Sequence, residues 1–101
     1  MKTVIVRYRL KPEAVEANDQ LVAAVFAALA ERRPAGLRYE SFKLPDHARL
    51  HLAHIDRKDG TNPLQALEAF RAFTAGIKDR CVEPPVASDA ELIGSYAPPA
   101  E

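Results

Sequence analysis

Two stretches near the middle of the chain, Leu37 to Leu44 (LRYESFKL) and Arg49 to Asp56 (RLHLAHID), alternate between bulky apolar and polar residues. A period of two marks a strand with one face turned to a core and the other turned away. Only Pro45-Asp46-His47-Ala48 lies between them, and these residues favour a turn. The pair is therefore expected to fold back on itself as an antiparallel hairpin. If Leu44 faces Arg49, then Phe42 lies opposite His51 and Tyr39 opposite His54. A slip of one residue would exchange the two faces.

The rest of the chain fits around this hairpin. Thr3 to Leu10 (TVIVRYRL) is a further strand, with Val4, Val6, Tyr8 and Leu10 on one face and Ile5, Arg7 and Arg9 on the other. Pro12 opens a helix that runs to about Arg33, where Pro34 and Gly36 stop it. Val15, Val22, Val25, Phe26 and Leu29 form its apolar stripe, and Asn18 falls inside that stripe. A second helix starts at Asn62-Pro63-Leu64-Gln65, which offers a capping side chain and a proline at the first turn. It is expected to continue to about Arg80, burying Leu64, Leu67, Phe70, Phe73 and Ile77. Val82 to Asp89 is Pro-rich and is expected to be a connection, and Ala90 to Tyr96 (AELIGSY) a last short strand. The order strand, helix, strand, strand, helix, strand predicts an α+β fold of ferredoxin-like βαββαβ type. Both helices then cover one face of an antiparallel sheet.

Composition sets the limits on this fold. The 101 residues suit one domain over 1–101, with 97–101 as a tail. With 14 basic and 14 acidic residues the net charge is zero, which gives no reason to expect nucleic acid or a membrane surface as partner. A lone Cys81 forms no internal disulfide, and it provides no zinc site with the usual spacing. The first apolar run is broken at Arg7, too early for a signal peptide, so a cytoplasmic location is the default. The 48% apolar content is spread over both sheet faces. The face away from the helices is too apolar to be left in water, which predicts sheet-to-sheet association of two copies, a homodimer.

The chain resembles the dimeric α+β barrel superfamily, and within it the antibiotic-biosynthesis-monooxygenase-like domains. The resemblance runs from VIVRYRLKPE (4–13) through PLQALEAFRAF (63–73) to ELIGSY (91–96). It implies a cleft between the helices and the sheet. It also implies either oxygenation of a polycyclic aromatic molecule without metal or flavin, or haem degradation. Haem degradation in this family relies on a histidine after an alanine on the second helix and on a tryptophan. Here the matching step is Ala69-Phe70, and the chain has no tryptophan. The expected function is thus a monooxygenase-like protein for a small aromatic or quinone-like molecule, with no cofactor and no metal. The alternatives are a non-catalytic dimeric binding module and a proton-transfer enzyme such as an isomerase.

His54 and Tyr39 are the candidate catalytic residues, one to move a proton and the other to hold a substrate oxygen. The plainer reading of the pair is cross-strand packing. Tyr8, Asn18, Phe70 and Phe73 are the candidate substrate-binding residues. Asn18 stands out because a buried amide needs a polar partner. Arg7, Arg9, Arg38, Glu40 and His51 are assigned to the opposite face, where a charge network at the dimer interface accounts for them. No phosphate loop, metalloprotease helix or nucleophile elbow is present.

Overall fold

The first strand, β1 (Lys2–Leu10), lies in the middle of the sheet in the computed structural model, which describes residues 1–98. The last part of the expected 97–101 tail, residues 99–101, lies outside the described residues. On one side β1 pairs with β3 (Ala48–Ile55), which pairs in turn with β2 (Leu37–Lys43). On the other side it pairs with β4 (Cys81–Ala90), giving the order β2-β3-β1-β4 with every pair antiparallel. A short 3-10 turn at Pro12–Ala14 leads into α1 (Val15–Arg32), and the expected boundaries of this helix hold. Its C-terminus is closed by Arg33 in the left-handed region, whose N–H donates to Leu29 O.

Alternation along β3 shows where the core lies. Arg49, His51, Ala53 and Ile55 are buried beneath the helices, and Leu50, Leu52 and His54 are half-exposed on the open face. Tyr8, Leu10, Val25, Leu64, Leu67, Phe73 and Cys81 complete the core from the other elements.

Three expectations are corrected here. First, Ser41, not Phe42, faces His51, and Arg38, not Tyr39, faces His54, because Lys43 pairs with Arg49. Leu44 therefore belongs to a four-residue connection, Leu44 to His47, and its N–H donates to Ala48 O. Asp46 and His47 both have positive φ in that connection, at 61° and 64°. Second, the last strand is Cys81–Ala90, and Glu91 to Pro98 is irregular. Pro84 and Pro85 sit where the β1–β4 register shifts between Arg7 and Arg9, on an edge strand that can lose N–H donors. Since Ala90 already pairs with Thr3, β1 has no length left to pair with Glu91 to Tyr96. Third, the second helix is broken. Asn62 accepts the Leu64 N–H as its cap over a 3-10 turn, Pro63–Ala66. Leu67 is extended, α2 covers Glu68–Thr74, and Gly76 turns at φ 73° into α3 (Ile77–Arg80).

Gly36 joins α1 to β2 at φ 75°, and its carbonyl accepts the Asp56 N–H. A Cβ there would come within 2.5 Å of Asp56 O. Gly36→Ala is expected to lose about 2 kcal/mol of unfolding free energy in urea, from the left-handed backbone and the carbonyl clash together. An unchanged urea midpoint would show that this junction relaxes freely.

Candidate functional site

Three ring-bearing side chains of the sheet meet on its helix-covered face. β1 contributes Tyr8, β3 contributes His51 and β2 contributes Tyr39. The His51 ring stacks on Tyr8 at 5.3 Å and on Tyr39 at 5.9 Å between centroids, with interplanar angles of 11° and 12°. From α2, Phe73 tilts against both Tyr8 and His51, and Phe70 packs on Phe73.

Polar contacts run along the same row. Tyr8 Oη lies 2.7 Å from His51 Nε2, and Tyr39 Oη lies 3.2 Å from Nδ1, where Ser41 Oγ also bonds. Asn18 Nδ2 donates to Tyr8 Oη at 3.0 Å, and Arg80 Nε donates to Asn18 Oδ1 at 3.1 Å. On α1, Asp19 takes a two-pronged bond from the buried Arg49 at 3.0 Å on each oxygen, and Lys43 lies 3.3 Å away. Among the described residues, no buried side-chain polar atom lacks a partner.

Burial governs the protonation of these groups. It pushes the His51 imidazole down to about 4, with the Arg49 cation adding to the effect. It pushes the hydroxyls of Tyr8 and Tyr39 up to about 12, against the opposing bonds from Asn18 and Ser41. Burial also opposes ionisation of Asp19, but the Arg49 and Lys43 contacts outweigh it and hold the carboxyl below its usual range. At neutral pH Tyr8, His51 and Tyr39 are therefore uncharged, with the Arg80 cation at the Asn18 end of the row and the Asp19–Arg49 pair beside it.

The row forms part of the wall of a cavity of about 170 Å³ between the sheet and α2. Tyr39, His51, Phe70, Phe73, Leu64 and Ile77 are among its lining residues, and the lining is almost wholly apolar. A second hollow of about 190 Å³ lies towards α1, lined by Ser41, His51, Arg49 and Asp19 among others.

Of the residues singled out in the sequence, Tyr39, Phe70 and Phe73 line the cavity. Tyr8 and Asn18 are buried behind that wall and reach it through His51. His54 does not join them. The register puts it on the open face, where its Nδ1 lies 3.1 Å from Thr3 Oγ1. His51, assigned in the sequence to the open face, is the buried histidine, at 3% exposure. Its signal was its place in the alternating series with Ala53 and Ile55. Nothing in the sequence marked Ser41 or Arg80. Among the described residues, no three His, Cys, Asp or Glu side chains gather as a metal site requires.

No protein-family model matches the sequence, and neither does the sequence of any curated protein. Solved structures do match. An antibiotic biosynthesis monooxygenase superposes with a TM-score of 0.75 at 17% identity, over 93% of this chain and 100% of that one. A protein from Mycobacterium tuberculosis gives 0.76 at 14% identity, over 95% and 98%. SnoaB, a cofactor-independent oxygenase from Streptomyces nogalater, gives 0.68 at 14% identity, over 93% and 94%. The fold is that of the antibiotic biosynthesis monooxygenases. At these identities the likeness establishes the monooxygenase fold alone, so activity has to be argued from the site.

The shift at His51 gives a pH prediction. The unfolded imidazole titrates near 6.5 and the folded one near 4, so between these values the unfolded state binds more protons. Stability contributed by the neutral imidazole is complete above about pH 6.5 and is lost as pH falls towards 4, by up to roughly 3 kcal/mol. For the tyrosines the sign is reversed: their contribution is complete below about pH 10 and declines as pH rises towards 12. Urea titrations across pH 4–7 should show the acid decline, and His51→Gln should flatten it.

Proposed function

We propose that the chain binds a small, flat, largely apolar molecule, aromatic or quinone-like, in the cavity under α2, and oxygenates it without a cofactor. The observation that carries this reading is an apolar cavity with an uncharged pair, Tyr39 and His51, at its polar end. An engineered apolar cavity of about 150 Å³ takes up benzene, so about 170 Å³ suits one or two fused rings. Phe70 and Phe73 offer faces and edges to such a ring. Tyr39 holds its oxygen with His51 bonded behind it, and His54, on the open face, is not used in this reading. SnoaB, a cofactor-independent oxygenase, shares the fold.

The reaction balances with dioxygen as oxidant. A phenol with a hydrogen on the ring carbon para to its hydroxyl becomes a quinone. One oxygen atom forms the new carbonyl, and the other leaves as water with the ring hydrogen and the hydroxyl hydrogen. Substrates acidic enough to ionise in water, such as hydroxyquinones of one or two rings, enter as anions and need no strong base from the protein. An oxygen electrode should record uptake with such a panel, and Tyr39→Phe should lower kcat/KM by about 100-fold, the effect of losing a donor to a developing anion. Binding without oxygen uptake would replace this reading with the non-catalytic module. One observation favours that second reading: both ring nitrogens of His51 already face protein groups.

The open sheet face supports a homodimer. Ile5, Phe42, Leu50, Leu52 and Val86 share it, with Phe42 45% and Val86 64% exposed. We infer that two copies meet there, since an apolar face of this kind is covered in solution. Light scattering should give twice the 11.1 kDa of one chain, and Leu52→Glu should reduce it to a single chain. A single-chain mass for the unaltered protein would reject the dimer. The cytoplasm is the compartment proposed for it, in keeping with its free thiol, Cys81.

A further inference from the structure

The direction of each hydrogen bond along the core row can be followed inward from Arg80. A guanidinium only donates, so the Asn18 oxygen lies at the Arg80 end of the amide. The Asn18 nitrogen then donates to Tyr8 Oη. Asn18 is fully buried and Tyr8 is 2% exposed, so the Tyr8 hydroxyl hydrogen also needs an acceptor inside the protein. His51 Nε2 stands at 2.7 Å to take it. A neutral imidazole carries one hydrogen, which places that hydrogen on Nδ1, facing Ser41 and Tyr39. The opposite tautomer would set Nε2–H and Asn18 Nδ2 both donating to Tyr8 Oη and leave the phenolic hydrogen unpaired in the core.

We propose that Asn18 and Arg80 are positioning residues that hold His51 as the Nδ1–H tautomer, so that the polar end of the cavity donates hydrogen bonds and selects a ligand with an acceptor oxygen. With Nδ1 donating, neither Ser41 nor Tyr39 spends its hydrogen on His51. The Tyr39 hydroxyl keeps its hydrogen for the cavity that Tyr39 lines. A quinone carbonyl or a phenolate matches such a wall. This deepens the preceding reading of the cavity and rests on it for the ligand class, whereas the tautomer rests on the core bonds alone.

The chain has three histidines, so His47→Asn with His54→Gln leaves His51 as the only imidazole. Both substituted residues lie away from the cavity lining, and His47 is an exposed residue of the hairpin connection. Long-range proton–nitrogen correlation spectra at pH 7 should then show Nδ1 as the protonated nitrogen. Adding Asn18→Asp should swap the pattern. The carboxylate still accepts from Arg80 but takes the Tyr8 hydrogen as well, so Tyr8 Oη must accept from His51 Nε2–H. If that variant does not fold, Tyr8→Phe serves instead, since loss of the phenol frees the proton to populate both nitrogens. Nε2 protonated in the starting protein, or an unchanged pattern in the variants, would overturn the proposal. 1,4-Naphthoquinone is the ligand probe, expected to bind about tenfold more weakly after Asn18→Asp. Equal binding before and after would overturn the selection of an acceptor oxygen. No naphthoquinone binding at all, with the proton found on Nδ1, would overturn the ligand reading of the cavity and leave the tautomer assignment standing.

Discussion

The contact between Tyr8 and His51 joins the two central strands of the sheet from within the core. β1 and β3 are neighbours, and at this point their side chains stack and bond at the same time. A buried imidazole with an unfilled nitrogen would be costly, as would a buried phenol with an unused hydrogen. Each side chain satisfies the other, and this pairing lets a polar row run through an otherwise apolar interior. Asn18 on α1, Phe73 on α2 and Ser41 on β2 all pack or bond onto this pair. The cavity wall is therefore built from core side chains, as the proposed hold on a ligand oxygen requires.

The architecture was legible in the sequence because it depends on periodicity, and periodicity survives small errors. The β1 alternation, the α1 stripe and the Asn62-Pro63 start all appear where the pattern puts them. The identity of the buried histidine was not legible, because it depends on one residue of register. Asp46 and His47 take positive φ in succession, a conformation usually signalled by Asn-Gly or Asp-Gly. Asp-His carries no such signal, so the length of the connection could not be read. A single slip moved His54 to the open face and brought His51 in.

The last strand was missed for a different reason. Val82-Glu83-Pro84-Pro85 looks like a linker, because proline cannot donate to a ladder. At the edge of a sheet this deficiency is tolerated. Here the Arg7-to-Arg9 register shift absorbs the proline pair, and Arg9 Nε reaches Glu83 at 2.7 Å across it. The AELIGSY segment had the better strand composition, but β1 begins at Lys2 and its Thr3 already pairs with Ala90. Where a strand forms was decided by the length of its neighbour more than by its own propensity.

The break in the second helix ties the cavity to the tautomer. A continuous helix from Pro63 to Arg80 would carry Arg80 onward along the helix axis. Instead Gly76 turns the chain, and Arg80 comes back beneath α2. Its guanidinium donates to Phe73 O and Ala75 O, carbonyls at the end of α2, and lies 5.8 Å from the Phe73 ring centroid. The same group donates to Asn18 Oδ1 and so sets the direction of every bond as far as His51. Phe73, held by that cation, is both cavity lining and ring partner to His51. One arginine at the end of a four-residue helix thus closes the element that covers the cavity and orients the polar row that forms its far wall.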